Sequence, residues 1–360
     1  MADFQWDEDP LAQLGEITPH PVRSPSESSE PLSSAHGSVI AETAKAVANN
    51  VLLDYKPIHN SDDTVKVLQA FLDNLSGPGL GTLCNDIYAI KDKQRLLRQL
   101  RNFLVDAILK PMAAAGGREP PVTPPPNESA ARDIEYAMPT IEGSSRTDHH
   151  WLKQQCLDRD GGRCLLTGAI DTDRYGRMAP GERKGARHAR TQCAHLLPFA
   201  LSKLNKRSAT HVKNKATIWW ALYQYFPALR GKIAANTVNQ PGNAVMLSAA
   251  IHQDFGLFAF GFRSMEEQHK YHIEILDEDS FYAAQFPTTT TFPQHDPAVP
   301  RPDPDILDVH LRIGRILKVS GIGYRVQSSL REYASGEQDI AWDGSTDLGN
   351  IIRRKMLIGI

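Results

Sequence analysis

Sulfur is scarce in this chain. Four cysteines (Cys84, Cys156, Cys164 and Cys193) stand among 360 residues. They are too few for a disulfide scaffold, and a reducing compartment, nucleus or cytoplasm, is expected. Nor do they form metal knuckles, because Cys164 is followed at knuckle spacing by Thr167. Structural zinc is therefore not expected, and the thiols read as buried and free. No apolar run approaches the roughly 20 residues that cross a bilayer. The opening Met1-Ala2-Asp3-Phe4-Gln5-Trp6-Asp7-Glu8-Asp9 is acidic and has no signal-peptide core. Membrane insertion and secretion are not expected.

Acidic residues are missing from one stretch. Residues 181–240 hold eleven Lys and Arg against the single acid Glu182, a net of +10, within a chain whose total is −2. The rest of the chain therefore carries −12. A block this free of acids is expected to face a polyanion. The candidate contacts are Arg183, Lys184, Arg187, Arg190, Lys203, Lys206, Arg207, Lys213 and Lys215, with Arg230 and Lys232 completing the count. The bland alternative is a solvated helical face.

Helical periodicity opens the folded part. Residues 1–36 are rich in Ser, Pro and Glu and read as a disordered tail. Residues 37–110 read as helical, with Ser61 as a cap for a helix that buries Val65, Leu68, Phe71, Leu72 and Leu75. A second helix is expected from Asp92 to Lys110, ended by Pro111, with Arg95, Arg98 and Arg101 on its solvated side. Residues 111–145 are rich in Pro and Gly and read as a linker. A domain over 146–276 follows, beginning with a helix near 148–158 that offers Trp151, Leu152 and Cys156 for burial. After the Asp160-Gly161-Gly162 turn, Arg163 to Leu166 reads as a short strand and 169–190 as a mobile loop. Residues 200–227 look helical, with Trp219 and Trp220 in the core. A hairpin is expected at Leu257–Phe260 and Tyr271–Ile275. Residues 277–304 read as a second linker. The segment 305–360 reads as helical, with Ile306, Leu307, His310, Ile313 and Leu317 buried, a stop at Gly321 and a further helix near 345–357.

Two separated motifs carry the chemistry. Cys193-Ala194-His195-Leu196-Leu197-Pro198-Phe199 leaves a short apolar strand. Gly242-Asn243-Ala244-Val245-Met246-Leu247-Ser248 opens a second, and Ile251-His252-Gln253-Asp254-Phe255 reads as a helix. Phosphodiester hydrolysis needs a base to deprotonate water, a task suited to His, and positive charge to stabilise the phosphorane, a task suited to a hard cation. The order His, Asn, His, with Arg159-Asp160-Gly161-Gly162-Arg163-Cys164-Leu165-Leu166-Thr167-Gly168 before it, resembles the HNH endonuclease superfamily, and more narrowly a fungal branch of HNH-domain proteins. The resemblance covers roughly residues 150–275.

That resemblance implies an α+β fold. It would be a ββα-metal HNH core with a long helical insertion, flanked by helical N- and C-terminal segments and disordered linkers. It implies His195 as the general base, with Asn243 orienting the hairpin or joining the metal site. His252 would be a metal ligand, and Asp254 a further candidate. The implied cofactor is Mg²⁺, or Mn²⁺ or another divalent ion. The implied partner is nucleic acid, DNA in preference to RNA. Two positions depart from the pattern. Ala194 stands where many such sites place a ligand just before the base, and Gly256 stands one turn beyond His252. Two readings stay open: a metal-dependent endonuclease, or a module that binds nucleic acid or protein without cutting.

Overall fold

In the computed structural model, residues 33–113, 122–144, 148–282, 285–326 and 328 are described. Two units divide the chain, residues 1–40 and 41–360. Helix α1 (Ser33–Leu53) begins inside the stretch read as a tail and continues into the second unit, where Ala48 and Leu52 are buried. The expected helix near 345–357 lies outside the described residues.

The apolar spacing near residue 65 gives α2 (Thr64–Asn74), which buries Val67, Leu68, Phe71 and Leu72. Ser61 does not cap it. Its hydroxyl meets His59, and the Asp62 carboxylate accepts the Thr64 N–H instead. Next come α3 (Gly77–Ala89) and α4 (Gln94–Leu104), which runs through a π-turn at Val105–Leu109 into α5 (Lys110–Ala113). Pro111 falls where the α ladder is already broken, so its missing N–H does not end the helix. Arg98 and Arg101 are engaged, on the Tyr55 hydroxyl and the Asp63 carboxylate.

The stretch read as a linker contains a helix, α6 (Glu128–Ala137), whose cap Asn127 accepts the Ser129 N–H. Thr123, just before it, is tied to Asp106 by its hydroxyl at 2.5 Å. Helix α7 (Asp148–Arg159) buries Leu152 and Cys156 but leaves Trp151 70% exposed, against expectation. Gly161 and Gly162 both take positive φ, 66° and 69°, which accounts for the tight turn after Asp160. Arg163 makes only an isolated bridge to Ile170, so the expected strand there does not form.

The stretch read as a mobile loop is built from short pieces. These are β1 (Ile170–Asp171), α8 (Thr172–Arg177), α9 (Pro180–Arg183) and β2 (His188–Ala189), with β1 and β2 parallel. Asp171 caps α8 and also takes the Thr191 hydroxyl at 2.5 Å. Burial pushes its carboxyl up, but the Thr191 hydrogen bond and Lys153 outweigh this and hold it below its ordinary value.

The remaining elements complete the α+β arrangement. They are β3 (Thr191–His195), α10 (Ala209–Tyr225), β4 (Ala244–Ser248), α11 (Ala249–Gly256), β5 (Phe260–Ser264), β6 (Lys270–Ile275), β7 (Thr289–Thr291) and α12 (Pro304–Ser320). Strands β5, β6 and β7 form an antiparallel sheet, with β7 inside the second stretch read as a linker. Asp303 caps α12, and Gly321, at φ 74°, ends it as expected.

One apolar core runs from Ala48 to Val326 and draws on α2–α5, α10, α11, the β5–β6 hairpin and α12. Within unit 41–360, the segments read as separate domains therefore share their interior.

His310 sits in this core as a stacked ring, 4.2 Å from Phe255 and 4.5 Å from Phe258 between centroids. Burial pushes its pKa down to about 3. The ring is therefore neutral in the fold, while the unfolded chain takes up a proton below its ordinary value. Stability from this residue is complete above about pH 6.5 and is lost as pH falls toward the folded value. At pH 5 the loss is expected to be about 2 kcal/mol. Urea unfolding of wild type and His310→Phe at pH 7 and pH 5 measures it. A pH dependence identical in the two proteins would contradict the assignment.

Candidate functional site

Strands β3 and β4 pair antiparallel, with Thr191 opposite Ser248, Cys193 opposite Met246 and His195 opposite Ala244. Alternation splits the hairpin into two faces. Cys193, Ala244 and Met246 pack with Leu152 and Cys156 of α7. Ala194, Val245 and Leu247 face the main core together with Ile251 and Phe255 of α11. Helix α11 follows β4 without a break, and the Ala249 N–H bonds the Arg190 carbonyl at 2.9 Å.

The segment between the strands is anchored at its start. Lys215 of α10 is 1% exposed, and its Nζ donates to the Ala200 carbonyl at 2.5 Å. One turn along, Trp219 Nε1 donates to the Leu201 carbonyl at 3.1 Å. Lys215, a candidate polyanion contact by sequence, is thus an interior strut. The Ala200 carbonyl, which also takes the Lys203 N–H at 3.3 Å, and the Leu201 carbonyl each receive a side-chain donor from this i, i+4 pair on α10.

Asn243 is completely buried. Its Nδ2 donates to the Leu197 and Val238 carbonyls, each at 2.9 Å, and its Oδ1 accepts the Leu197 N–H at 2.8 Å. Both amide donors and the oxygen are engaged, so Asn243 fits the register-holding role and not that of a metal ligand. Arg159 holds the same turn from the other side. It is 0% exposed, grips the Asp160 carboxylate with Nε and Nη2 (2.6 and 2.9 Å), and donates to the carbonyls of Pro241, Ala244 and Pro300. Sequence reading missed this role, since an Arg beside an Asp before two glycines looks like a turn at the surface.

His195 ends β3 half-buried, with its Nε2 2.9 Å from Asn239 Oδ1, and Asn239 Nδ2 reaches Ser144 Oγ at 3.0 Å. Ser144 lines an open groove with Gly143, Leu204, Asn205, Lys206 and Arg207. Asn239 and Ser144 carried no signal in the sequence, because neither belongs to a motif. His252 lies elsewhere. Its Nδ1 meets Gln192 Oε1 at 2.5 Å, and Gln192 is three residues from His195 on a strand whose side chains alternate. Asp254, two positions on from His252, turns to the Ser280 hydroxyl at 2.5 Å.

In the hydrogen bonds described, His195, Asn243, His252 and Asp254 each engage a different partner. Among the described residues, no group of three or more His, Cys, Asp or Glu side chains could hold a metal ion. Ala194 is buried and offers no donor, and at Gly256 the space is open but there is no side chain to ligate. The implied divalent cation does not fit the donor set that His252, Asn243 and Asp254 present.

The cations divide by environment. Lys184, Arg187, Arg190, Lys206, Arg207 and Lys213 are exposed. Lys203 is half-buried. Lys213 approaches Glu135 at 3.7 Å, and Lys206 approaches Glu142 at 3.9 Å. Arg183 is partly spent on its own loop, donating to the Met178 and Gly176 carbonyls and lying over the Tyr175 ring. Arg187 and Arg190 lead directly into β3, while Lys206 and Arg207 follow its far end, so exposed cations flank the strand along the chain at both ends.

Among known protein families, one described as HNH endonuclease matches residues 164–263. The match covers a little over a quarter of the chain and includes β3, β4 and α11. No curated protein and no solved structure matches the chain. No described helix is long and apolar enough to cross a membrane.

Proposed function

We propose that this module, whose residues 164–263 match a family described as HNH endonuclease, binds nucleic acid, DNA in preference to RNA, by its phosphate backbone. The two strands and the helix that follows them are the ββα element of that family, opened by the long insertion 196–243. One observation carries the reading. The exposed cations Lys184, Arg187 and Arg190 on one side of β3, and Lys206 and Arg207 on the other, sit in an almost acid-free stretch. Phosphate contacts by Lys and Arg release counterions, so binding of this kind weakens steeply with salt. The motif side chains meanwhile serve the fold: Asn243 holds the turn, and His252 and Asp254 are engaged with Gln192 and Ser280.

The test is a titration of duplex DNA and of single-stranded RNA, each of mixed sequence, across a salt series. Replacing both Arg187 and Arg190 by Ser is expected to weaken DNA binding by about tenfold at low salt and to flatten the log–log salt slope by about one to two. Unchanged affinity and slope would sink the reading.

One observation favours hydrolysis as a second reading. The His195 ring is held by Asn239 at the end of β3, beside a groove carrying Lys206 and Arg207. A base fixed in that way suits proton removal from an attacking water. A plasmid-nicking assay with Mg²⁺ or Mn²⁺, run on wild type and His195→Ala, separates the two. Binding without nicking in either protein is expected. Metal-dependent nicking in wild type that His195→Ala abolishes would replace the binding reading with the hydrolytic one.

A further inference from the structure

We propose that Cys156 and Cys193 are a redox modification site, oxidised by hydrogen peroxide to a reversible disulfide that staples α7 to β3. The two thiols come from different elements and meet in one small cluster with Leu152, Ala244 and Met246. They are 0% and 5% exposed, so both thiols are buried side by side in that cluster. The other two cysteines are placed differently. Cys84 lies in the main core, and the Cys164 sulfur accepts the Ser248 N–H at 3.2 Å.

The pair is chemically unequal. The Cys193 hydrogen bond pulls the Cys156 thiol below its ordinary value, against the effect of burial, and the Arg159 guanidinium one turn away adds to the pull. Cys193 is pushed well above its ordinary value by the same contact and by burial. A thiol with a lowered pKa beside one with a raised pKa is the arrangement of a nucleophile with a resolving partner.

The Cys156 thiolate attacks one oxygen of the peroxide. The O–O bond breaks, sulfur loses two electrons, and a sulfenic acid and hydroxide result. The Cys193 sulfur then attacks the sulfenic sulfur, the S–S bond forms, and the sulfenic hydroxyl leaves as water with the Cys193 proton. In sum, two thiols and one peroxide give one disulfide and two waters. Peroxide is close to water in size, so local opening of α7 against the hairpin suffices for entry. The crosslink closes a loop that contains Lys184, Arg187 and Arg190 and ends two residues before His195. The chemistry does not depend on the nucleic-acid reading and is tested apart from it.

The full chain, reduced and then freed of reductant, is treated with hydrogen peroxide and denatured, and its free thiols are counted. The four thiols of the reduced protein are expected to fall to two, with a mass loss of about 2 Da per chain. The peptides containing Cys156 and Cys193 are expected to be linked, and dithiothreitol to reverse the change. In Cys193→Ala the sulfenic acid on Cys156 has no resolving partner and is expected to be trapped by dimedone. Four remaining thiols, a link between any other pair, or crosslinking only between chains would overturn the proposal.

Discussion

Replacing Arg159 by Met is expected to lower the unfolding free energy by about 3–5 kcal/mol, the range for removing one partner of a buried ion pair. The guanidinium is 0% exposed and serves four partners at once. Without it, the Asp160 carboxylate stays buried with its charge unbalanced, keeping only the weak 3.3 Å bond from the Met246 N–H. The carbonyls of Pro241 and Ala244 also lose a donor at the turn that carries Asn243. Methionine fills much of the volume, so the loss reports on polar pairing more than on a cavity. Urea denaturation followed by far-UV circular dichroism measures it. Adding Asp160→Asn to Arg159→Met removes the stranded charge and is expected to recover part of the loss. A single-variant loss below about 1 kcal/mol would contradict the assigned role.

Asn243 is the second site of large effect. Asn243→Asp keeps the size of the side chain but replaces two N–H donors with an oxygen that faces the Leu197 and Val238 carbonyls. Asn243→Ala removes all three hydrogen bonds and leaves buried backbone groups unpaired. Both are expected to destabilise, Ala by about 2–4 kcal/mol, as unsatisfied buried polar groups cost about 1–3 kcal/mol each. Asp is expected to be the worse of the two, because a buried carboxylate facing carbonyls is desolvated and repelled. The same unfolding measurement orders them, and an Asp variant as stable as wild type would refute the lock. The contrast also bears on ligation. A carboxylate at 243 would improve a metal site if the side chain faced a cation, and it harms the protein if the side chain faces carbonyls.

The pattern of the chain anticipates much of this fold. Apolar spacing located α2, α4, α10 and α12, and the Gly321 stop was equally plain, whereas the first strand of the hairpin, expected at Leu257–Phe260, forms instead at Phe260–Ser264. The two halves of the motif pair as adjacent antiparallel strands although a long insertion separates them. Other parts were illegible for local reasons. Proline and glycine around 111–145 hid α6, since breaker density masks a short capped helix between them. Glycine and arginine over 169–190 suggested mobility, whereas Asp171 stitches that stretch to Thr191 through one carboxylate.

The sequence by itself determined the main helices and their order, where the acid-free block lies, and that the His, Asn, His series belongs to one hairpin and helix. These depend on local periodicity, turn chemistry and charge, which neighbouring residues specify. The tertiary structure alone decided the use of each polar side chain. Lys215 reads as a surface cation and Arg159 only as part of a motif until their acceptors come into view, the Ala200 carbonyl for one and carbonyls as far away as Pro300 for the other. His195, His252 and Asp254 read as candidate site residues, and in the fold they engage Asn239, Gln192 and Ser280. Burial and hydrogen-bond satisfaction are set by distant chain, and a linear motif holds no record of which groups the folded interior has already claimed.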